Sequence, residues 1–373
     1  MTILQICSSY FNTSLFKCLF SKLEAFGITN YVYVPRYNSA GENNEKHIFV
    51  INKKISKFAK LLYWGEQQYI LKDIEKRINL SKVDVVHVHR ILYGGYAALQ
   101  LKKKYGIPYI VAIRNSDLYA RGRNMSIFGK HCLEIILNAE KVVFISDAYK
   151  DIVWNRYSKK LVSQQLMEKS MTISNGIDDY YLENIASKGG HRFVTGKIRL
   201  FTLGTINKEK NQLTTLKACD ILIGRGHEIV YDYAGRICDA KVFSAIQQKP
   251  YSRYLGILKK EQIIEQLLNT DILVVPSIHE TFGLVYAEAM SQGIPVIYTK
   301  GQGFDGQYAE GEVGYAVDCF NAKEIADCIL KIMSDYQGIS NRCIDNAKRY
   351  SWLSIAQQYK IIYLNCLTKD VNE

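Results

Sequence analysis

"DILVVPSIHETFGLVYAEAMSQGIPVIYT" occupies residues 271–299 and holds one complete strand–helix–strand unit. DILVVPS is a continuous apolar run closed by Pro276 and Ser277, which reads as a strand buried on both faces. Leu284, Ala287 and Glu288 fall on one helical face by i, i+3, i+4 spacing. Gly293 and Pro295 end that helix and open the next apolar run, PVIYT. Two apolar strands joined by a helix predict a parallel sheet. Glu280 then lies in the loop before the helix, and Glu288 just over one turn inside it. The first-turn N–H groups between them have no intrahelical acceptor and favour an anion. Six residues of helix rise ~9 Å, close to the span from the sugar to the ribose of a nucleotide diphosphate-sugar. Gly283 lets backbone approach a ligand closely. The plainer reading is a helix with an acid in its first turns, favourable to the macrodipole and nothing more.

The same rhythm extends in both directions. Apolar runs at 3–7, 31–35, 83–89, 109–113, 141–146 and 171–175 alternate with helical patterns. After a polar Gly/Ser/Lys stretch at 186–197 the series restarts, with runs at 198–204, 229–235, 254–258, 271–277, 295–299 and 314–318. This predicts an α/β protein of two doubly wound parallel-sheet domains facing each other, with ligands at the carboxyl ends of strands in the cleft between them.

A chain of 373 residues exceeds the usual ceiling for one hydrophobic core, which also favours two domains. With 48% hydrophobic residues and five prolines, it reads as globular. No apolar run approaches the ~18 residues needed to span a bilayer. MTILQICSSY lacks a basic head and a cleavage site and reads as a first strand, not a signal peptide. The nine scattered cysteines, never spaced C-x-x-C, fit reduced cytosolic thiols. Charge is uneven: residues 1–190 carry a net +11 and residues 191–373 a net +1. The basic half should meet something anionic, such as a lipid headgroup, a lipid-linked diphosphate or nucleic acid. No recognised nucleic-acid motif supports the last.

SIHETFGLVYAEAMSQGIPVI (277–297) closely resembles the signature of the retaining glycosyltransferases of family 4, the group 1 glycosyl transferases with the GT-B fold, which carry Glu-x7-Glu in the form "EGFGLVLLEAMACGVPVV". The resemblance covers nearly the whole chain. DVVHVHRILYGGYAAL (84–99) is similar to the family's "DIIHAH" strand and helix, and GIPYIVAIRNSDL (106–118) to "GIPYVVTIHGSD". ISNGID (173–178) is similar to "IPNGID", LGTINKEKNQ (203–212) to "VGRLVPEKG", and YSWLSIAQQYKIIY (350–363) to the closing "FSWEKIAEQY" helix. The Glu-x7-Glu block is specific; the others gain weight from their order.

The resemblance implies the GT-B fold, two Rossmann-like domains across a cleft. Residues 1–185 would bind the acceptor and 190–351 the nucleotide-sugar donor, with helix 352–373 packing back on the first domain. It implies that Glu280 holds the donor sugar's hydroxyls and Glu288 the ribose hydroxyls. The backbone of Phe282, Gly283 and Leu284 would serve sugar and diphosphate, Lys210 would neutralise the leaving group, and Ile257 would lie near the base. Two departures matter. The family pairs that lysine with an arginine directly after the glycine, whereas here Gly204 is followed by Thr205. Charge then falls more heavily on Lys210, or on another residue such as Arg236. The family's cleft histidine aligns with Arg114, which makes Arg114 and Asp117 candidates for the catalytic site. The usual glycine-rich loop after the first strand is replaced by CSSYFNTS (7–14), whose hydroxyls could serve donor or acceptor, or cap the next helix.

His87 and His89 alternate on one strand and face the same side. No further metal ligands accompany them; His89 is a possible site residue, while a buried, hydrogen-bonded role suits His87. The chain has no D-x-D, so a metal on the diphosphate is not expected and no cofactor is implied. The segment 53–64, with lysines around an apolar side and Trp64 at its end, fits either a membrane-interface helix or a helix on the first domain's core. GQGFDGQ (301–307) follows a parallel strand and should face the donor.

The expected activity is hexosyl-type transfer from a nucleotide-diphosphate-sugar to a saccharide or lipid-linked saccharide acceptor, in bacterial surface polysaccharide synthesis (O-antigen, capsule, exopolysaccharide or lipopolysaccharide). The expected location is the cytoplasm, with possible peripheral attachment to an anionic membrane through the basic domain. No convincing enzyme nucleophile appears, so same-face substitution through a short-lived oxocarbenium ion is favoured over a covalent intermediate. The rival readings are a nucleotide-sugar epimerase or hydrolase of the same fold, and a non-catalytic sugar-nucleotide-binding protein.

Overall fold

The computed structural model describes residues 1–35, 47–50, 63–114, 117, 130–157, 164–189 and 196–368. The expected amphipathic segment at 53–64 lies outside the described residues, apart from the backbone of its last two positions. The chain divides into two compact units. The first comprises Met1–Ile145, Tyr149–Asn175 and Trp352–Glu373; the second comprises Ser146–Ala148 and Gly176–Ser351. The chain thus passes between units at Asn175–Gly176, not in the polar stretch 186–197. Among the described residues no helix is long and apolar enough to cross a membrane. All nine cysteines are free.

In the first unit a seven-stranded sheet has the order β3-β2-β1-β4-β5-β6-β7 and is parallel throughout. The strands are β1 (Thr2–Ile6), β2 (Thr29–Val34), β3 (Ile48–Val50), β4 (Val85–Val88), β5 (Tyr109–Ile113), β6 (Lys141–Phe144) and β7 (Ser170–Thr172). Side-chain alternation sends Leu4, Ile6, Val86, Val88 and Val111 to one face and Ile3, Val85, Ile110 and Ala112 to the other. The first face is covered by α2 (Tyr63–Arg77), α3 (Ile91–Tyr105) and α4 (Lys130–Asn138). The second is covered by α1 (Leu15–Ala25) and by the closing helix, here α14 (Trp352–Leu367), through Leu19, Leu23, Ile355 and Ile362. Near-complete burial on both sides is why these strands read as continuous apolar runs. The edge strand β3 escaped sequence reading because it is only three residues long and half-buried. Two short helices, α5 (Asp147–Tyr157) and α6 (Gln164–Lys169), precede β7.

The second unit holds a six-stranded parallel sheet ordered β10-β9-β8-β11-β12-β13. Its strands are β8 (Lys197–Leu203), β9 (Glu228–Ala234), β10 (Ser252–Tyr254), β11 (Ile272–Val274), β12 (Val296–Thr299) and β13 (Gly314–Val317). Its helices are α7 (Asp179–Glu183), α8 (Gln212–Gly224), α9 (Ala240–Gln247), α10 (Lys260–Leu268), α11 (Leu284–Ser291), α12 (Ala322–Ser334) and α13 (Tyr336–Ala347). The run expected as a strand at 254–258 is instead β10 at 252–254. It is an edge strand, bonded to β9 just past its end through Leu255 N to Tyr233 O at 3.0 Å and Gly235 N to Gly256 O at 2.8 Å, and Ile257 beyond these bonds is exposed.

Both sheets reverse strand order once, between β1 and β4 and between β8 and β11. At such a reversal successive helices leave on opposite faces, and a crevice opens beyond the carboxyl ends of the two strands. The second sheet's reversal lies beside Gly204 and Ser277, the first's beside Cys7 and His89.

Candidate functional site

Lys210 and Glu280 meet beyond the β8/β11 reversal, with Nζ 2.6 Å from Oε2. Their positions are set by local structure. Asn207 caps a single turn at Lys208–Lys210, its Oδ1 accepting from Lys210 N at 3.0 Å. Ile278 N donates to Glu209 O at 2.8 Å, and Asn211 Nδ2 donates to Pro276 O at 3.1 Å, which ties this turn to the chain leaving β11. The Lys210 side chain runs over Gly204, where an added Cβ would sit 3.3 Å from its Cε. Ser277 Oγ donates to Glu280 Oε2 at 3.3 Å.

The loop carrying Glu280 is clasped by the glycine-rich loop at 301–307. Glu280 N donates to Gln302 Oε1 at 3.0 Å, and Gly303 N donates to Glu280 O at 3.1 Å. A Cβ on Gly303 would fall 2.0 Å from Thr281 O, so only glycine permits this approach. Gly283 caps α11 in the left-handed region, with φ 77°, and a Cβ there would fall 2.2 Å from the Tyr286 ring. Tyr286 is itself buried and fixed by donating to Val275 O at 2.7 Å. Phe282 is buried against Tyr350, while Leu284 is half-buried.

Glu288 projects from α11 as a half-buried residue. Burial pushes its carboxyl up to about 7; Asp178 adds to the rise and Lys260 opposes it. Asp178 caps α7 by accepting from Tyr180 N at 3.1 Å and forms an ion pair with Lys260 at the start of α10. Burial would raise Asp178 as well, but the Lys260 hydrogen bond and the Tyr180 N–H outweigh it and hold it below its ordinary value. Sequence reading missed this pair: its members are 82 residues apart and neither stands out locally.

The remaining second-unit candidates lie around the same strand ends. Thr205 Oγ1 accepts from Asn207 Nδ2 at 3.1 Å and so supports the lysine turn. Arg236, exposed at the end of β9, has its carbonyl bonded to Ile206 N at 2.9 Å; its guanidinium has no hydrogen-bond partner among the described residues. Ile257 is 72% exposed.

In the first unit Arg114 and Asp117 form a turn beyond β5. Arg114 N donates to Asp117 Oδ2 at 3.0 Å, and Asp117 N donates to Arg114 O at 2.8 Å. Asp117 is buried, and burial pushes it up to about 6 against the pull of Arg90 and Arg114. The Arg114 guanidinium reaches His89 O at 3.4 Å and Asn175 Oδ1 at 3.3 Å, and its charge acts on the buried Tyr359 hydroxyl of α14. His87 and His89 are both fully buried and face the same side. His89 Nε2 pairs with Gln5 Oε1 at 2.8 Å and His87 Nδ1 with the Tyr363 hydroxyl at 2.7 Å. Burial first holds both well below the usual imidazole range; the Arg114 charge adds to this at His87, and at His89 the neighbouring His87 and then Arg114 do. They are a neutral polar stratum beneath Arg114, so His89 takes the same buried role as His87. Among the described residues no three His, Cys, Asp or Glu side chains group closely enough to hold a metal.

Two family models match consecutive parts of the chain: Glycosyltransferase Family 4 over residues 18–180, and Glycosyl transferases group 1 over residues 184–350. The chain belongs to glycosyltransferase family 4. The transferase is 24% identical over 342 residues to an uncharacterized glycosyltransferase of Methanocaldococcus jannaschii, an alignment covering 89% of each chain. Its fold is similar to that of the lipopolysaccharide outer core galactosyltransferase WaaB, with a TM-score of 0.72 at 16% identity over 98% of this chain and 99% of the other. It is also similar to Anabaena HepE, solved with UDP-glucose, with a TM-score of 0.64 at 15% identity over 98% and 100% of the two chains. The transferase thus has the GT-B architecture of two Rossmann-like parallel-sheet domains.

Proposed function

We propose that this glycosyltransferase takes a sugar from a nucleotide diphosphate-sugar and passes it, with retention of anomeric configuration, to a saccharide acceptor carried on a lipid during surface polysaccharide synthesis. The observation that carries the proposal is the Lys210–Glu280 pair, closed at 2.6 Å beside the start of α11 with Glu288 one turn further on. In this reading an incoming donor separates the pair. Its diphosphate takes Lys210 and the first-turn N–H groups of α11, and its sugar hydroxyls take Glu280. Glu288 accepts from the ribose hydroxyls, the backbone of Phe282, Gly283 and Leu284 lines sugar and diphosphate, and Ile257 covers the base. As the glycosidic bond breaks, charge grows on the leaving diphosphate. Lys210 meets it, aided by Gly204 and Thr205 backbone and by Arg236, whose guanidinium is uncommitted among the described residues. Arg114 and Asp117 serve the acceptor side. The incoming hydroxyl attacks the face the nucleotide leaves, through a short-lived oxocarbenium ion.

HepE's complex with UDP-glucose supports a UDP-sugar as the donor class. WaaB's activity on lipopolysaccharide supports the surface-glycan assignment. The net +11 of residues 1–190 supports work in the cytoplasm against an anionic membrane surface. The test is nucleotide release across a panel of UDP- and GDP-sugars, with and without lipid-linked acceptor. Acceptor-stimulated release of one nucleotide is expected. Release to water alone, or isomerised donor, would favour a hydrolase or epimerase.

A further inference from the structure

Among the described residues, the crevice beyond the β1/β4 reversal in the first unit carries two arginines against a single acid. The register pairs Ile6 with Val88, and His89 N donates to Ile6 O at 3.0 Å, so Cys7 and Ser8 lie beside His89 and Arg90. Arg90 Nε stands 3.6 Å from Asp117 Oδ1, and its guanidinium is stacked 4.3 Å above the Tyr93 ring. Its terminal nitrogens have no hydrogen-bond partner among the described residues. Arg114 is held at the same turn by Asp117, His89 O and Asn175. Both arginines act on the Cys7 thiol, which burial nonetheless keeps inert. Ser8 Oγ is buried there with no partner among the described residues.

We propose that Arg90 and Arg114 form a phosphate-binding subsite in the first unit that holds a phosphate ester of the acceptor. One carboxylate cannot balance two guanidinium groups, so these described residues keep an excess positive charge between them. Planar guanidinium forks match phosphate oxygens in bidentate geometry. Ser8 Oγ supplies a further donor. Neighbouring ring, carbonyl and amide contacts fix both guanidinium groups before any ligand arrives, which lowers the ordering cost of binding. The subsite gives the basic half of the chain a specific anion to hold. It rests on the reading of the first unit as the acceptor side.

The test is calorimetric titration of inorganic phosphate into the full chain, with the donor site first saturated by UDP or GDP. Wild type should give a saturable isotherm. Arg90→Gln and Arg114→Gln should each weaken it at least tenfold, Arg90→Lys by only a few-fold, and Arg225→Gln on the second unit not at all. Thermal melts of each variant separate lost binding from lost folding. A hexose 6-phosphate that displaces phosphate marks a soluble phosphosugar. A short-chain polyprenyl phosphate in neutral micelles that does so alone marks a lipid-linked acceptor. Absence of binding in wild type, or arginine variants that bind as wild type does, overturns the proposal. So does phosphate binding that disappears once nucleotide is bound. If neither UDP nor GDP binds, the donor reading fails, while the phosphate isotherm remains readable on its own.

Discussion

Replacing Glu288 with glutamine should strengthen the free protein and weaken its hold on the donor. Burial raises this carboxyl from its ordinary 4.5 to about 7, with Asp178 second among the causes. The folded state therefore binds the proton more tightly than the unfolded chain. Wild-type stability falls as pH rises from about 4.5 to about 7, and the penalty is fully present above that. A rise of this size corresponds to roughly 3 kcal/mol as a ceiling. Because the residue is only half-buried and Lys260 lies nearby, a gain of about 1–2 kcal/mol at pH 8 is the expected outcome for the glutamine variant. At pH 4 the gain should vanish. Urea denaturation at the two pH values measures it. All three tryptophans, Trp64, Trp154 and Trp352, belong to the first unit, so far-UV circular dichroism and not tryptophan emission must follow the second. The same variant should bind nucleotide about tenfold more weakly, since hydrogen bonds to a charged acceptor are worth about 1.5–3 kcal/mol. A stability difference that is equal at pH 4 and pH 8 would refute the burial argument. Gained stability with unchanged nucleotide affinity would refute the ribose role alone.

Further outcomes follow from the same geometry. Lys210→Ala should cut kcat by ~10²–10³, because the lost contact is one that strengthens as the diphosphate leaves; turnover within about threefold of wild type in a single-turnover assay would remove the lysine from that role. Gly303→Ala, whose Cβ would fall 2.0 Å from Thr281 O, should destabilise the second unit by about 1–3 kcal/mol and displace the Glu280 loop, measurable as a lowered urea midpoint with lost activity. Neutralising Lys53, Lys54, Lys57 and Lys60 together should weaken cosedimentation with anionic vesicles, and wild-type binding should fall steeply with salt; equal binding to neutral vesicles would remove the membrane role.

Where a strand was long and buried on both faces, its apolar run announced it. DILVVPS and YIVAI needed no partner to be recognised, and their alternation with helices implied parallel sheets. The short edge strand Ile48–Val50 carried too few residues for a pattern, and the run at 254–258 misled because the apolar Ile257 is exposed. In the candidate site, Glu280, Glu288 and Lys210 could be picked out because Glu-x7-Glu and the lysine turn are local patterns, and Lys210 and Glu280 do meet. The Asp178–Lys260 pair, the clasp of Gln302 and Gly303 on the Glu280 loop, and Arg90 beside Asp117 were not. Each arises from residues distant in sequence that meet only when parallel strands place their ends together. His89 illustrates the reverse: a strand-end histidine resembles a site residue until Gln5 and Phe16 are found to enclose it.

The central claim is transfer with retention by a site built on Lys210 and Glu280. It is tested most directly by proton NMR of the first glycoside formed from an α-linked nucleotide sugar, recorded before any equilibration. The account predicts an α-linked product, formed ~10²–10³ more slowly in Lys210→Ala. A β-linked first product would contradict it.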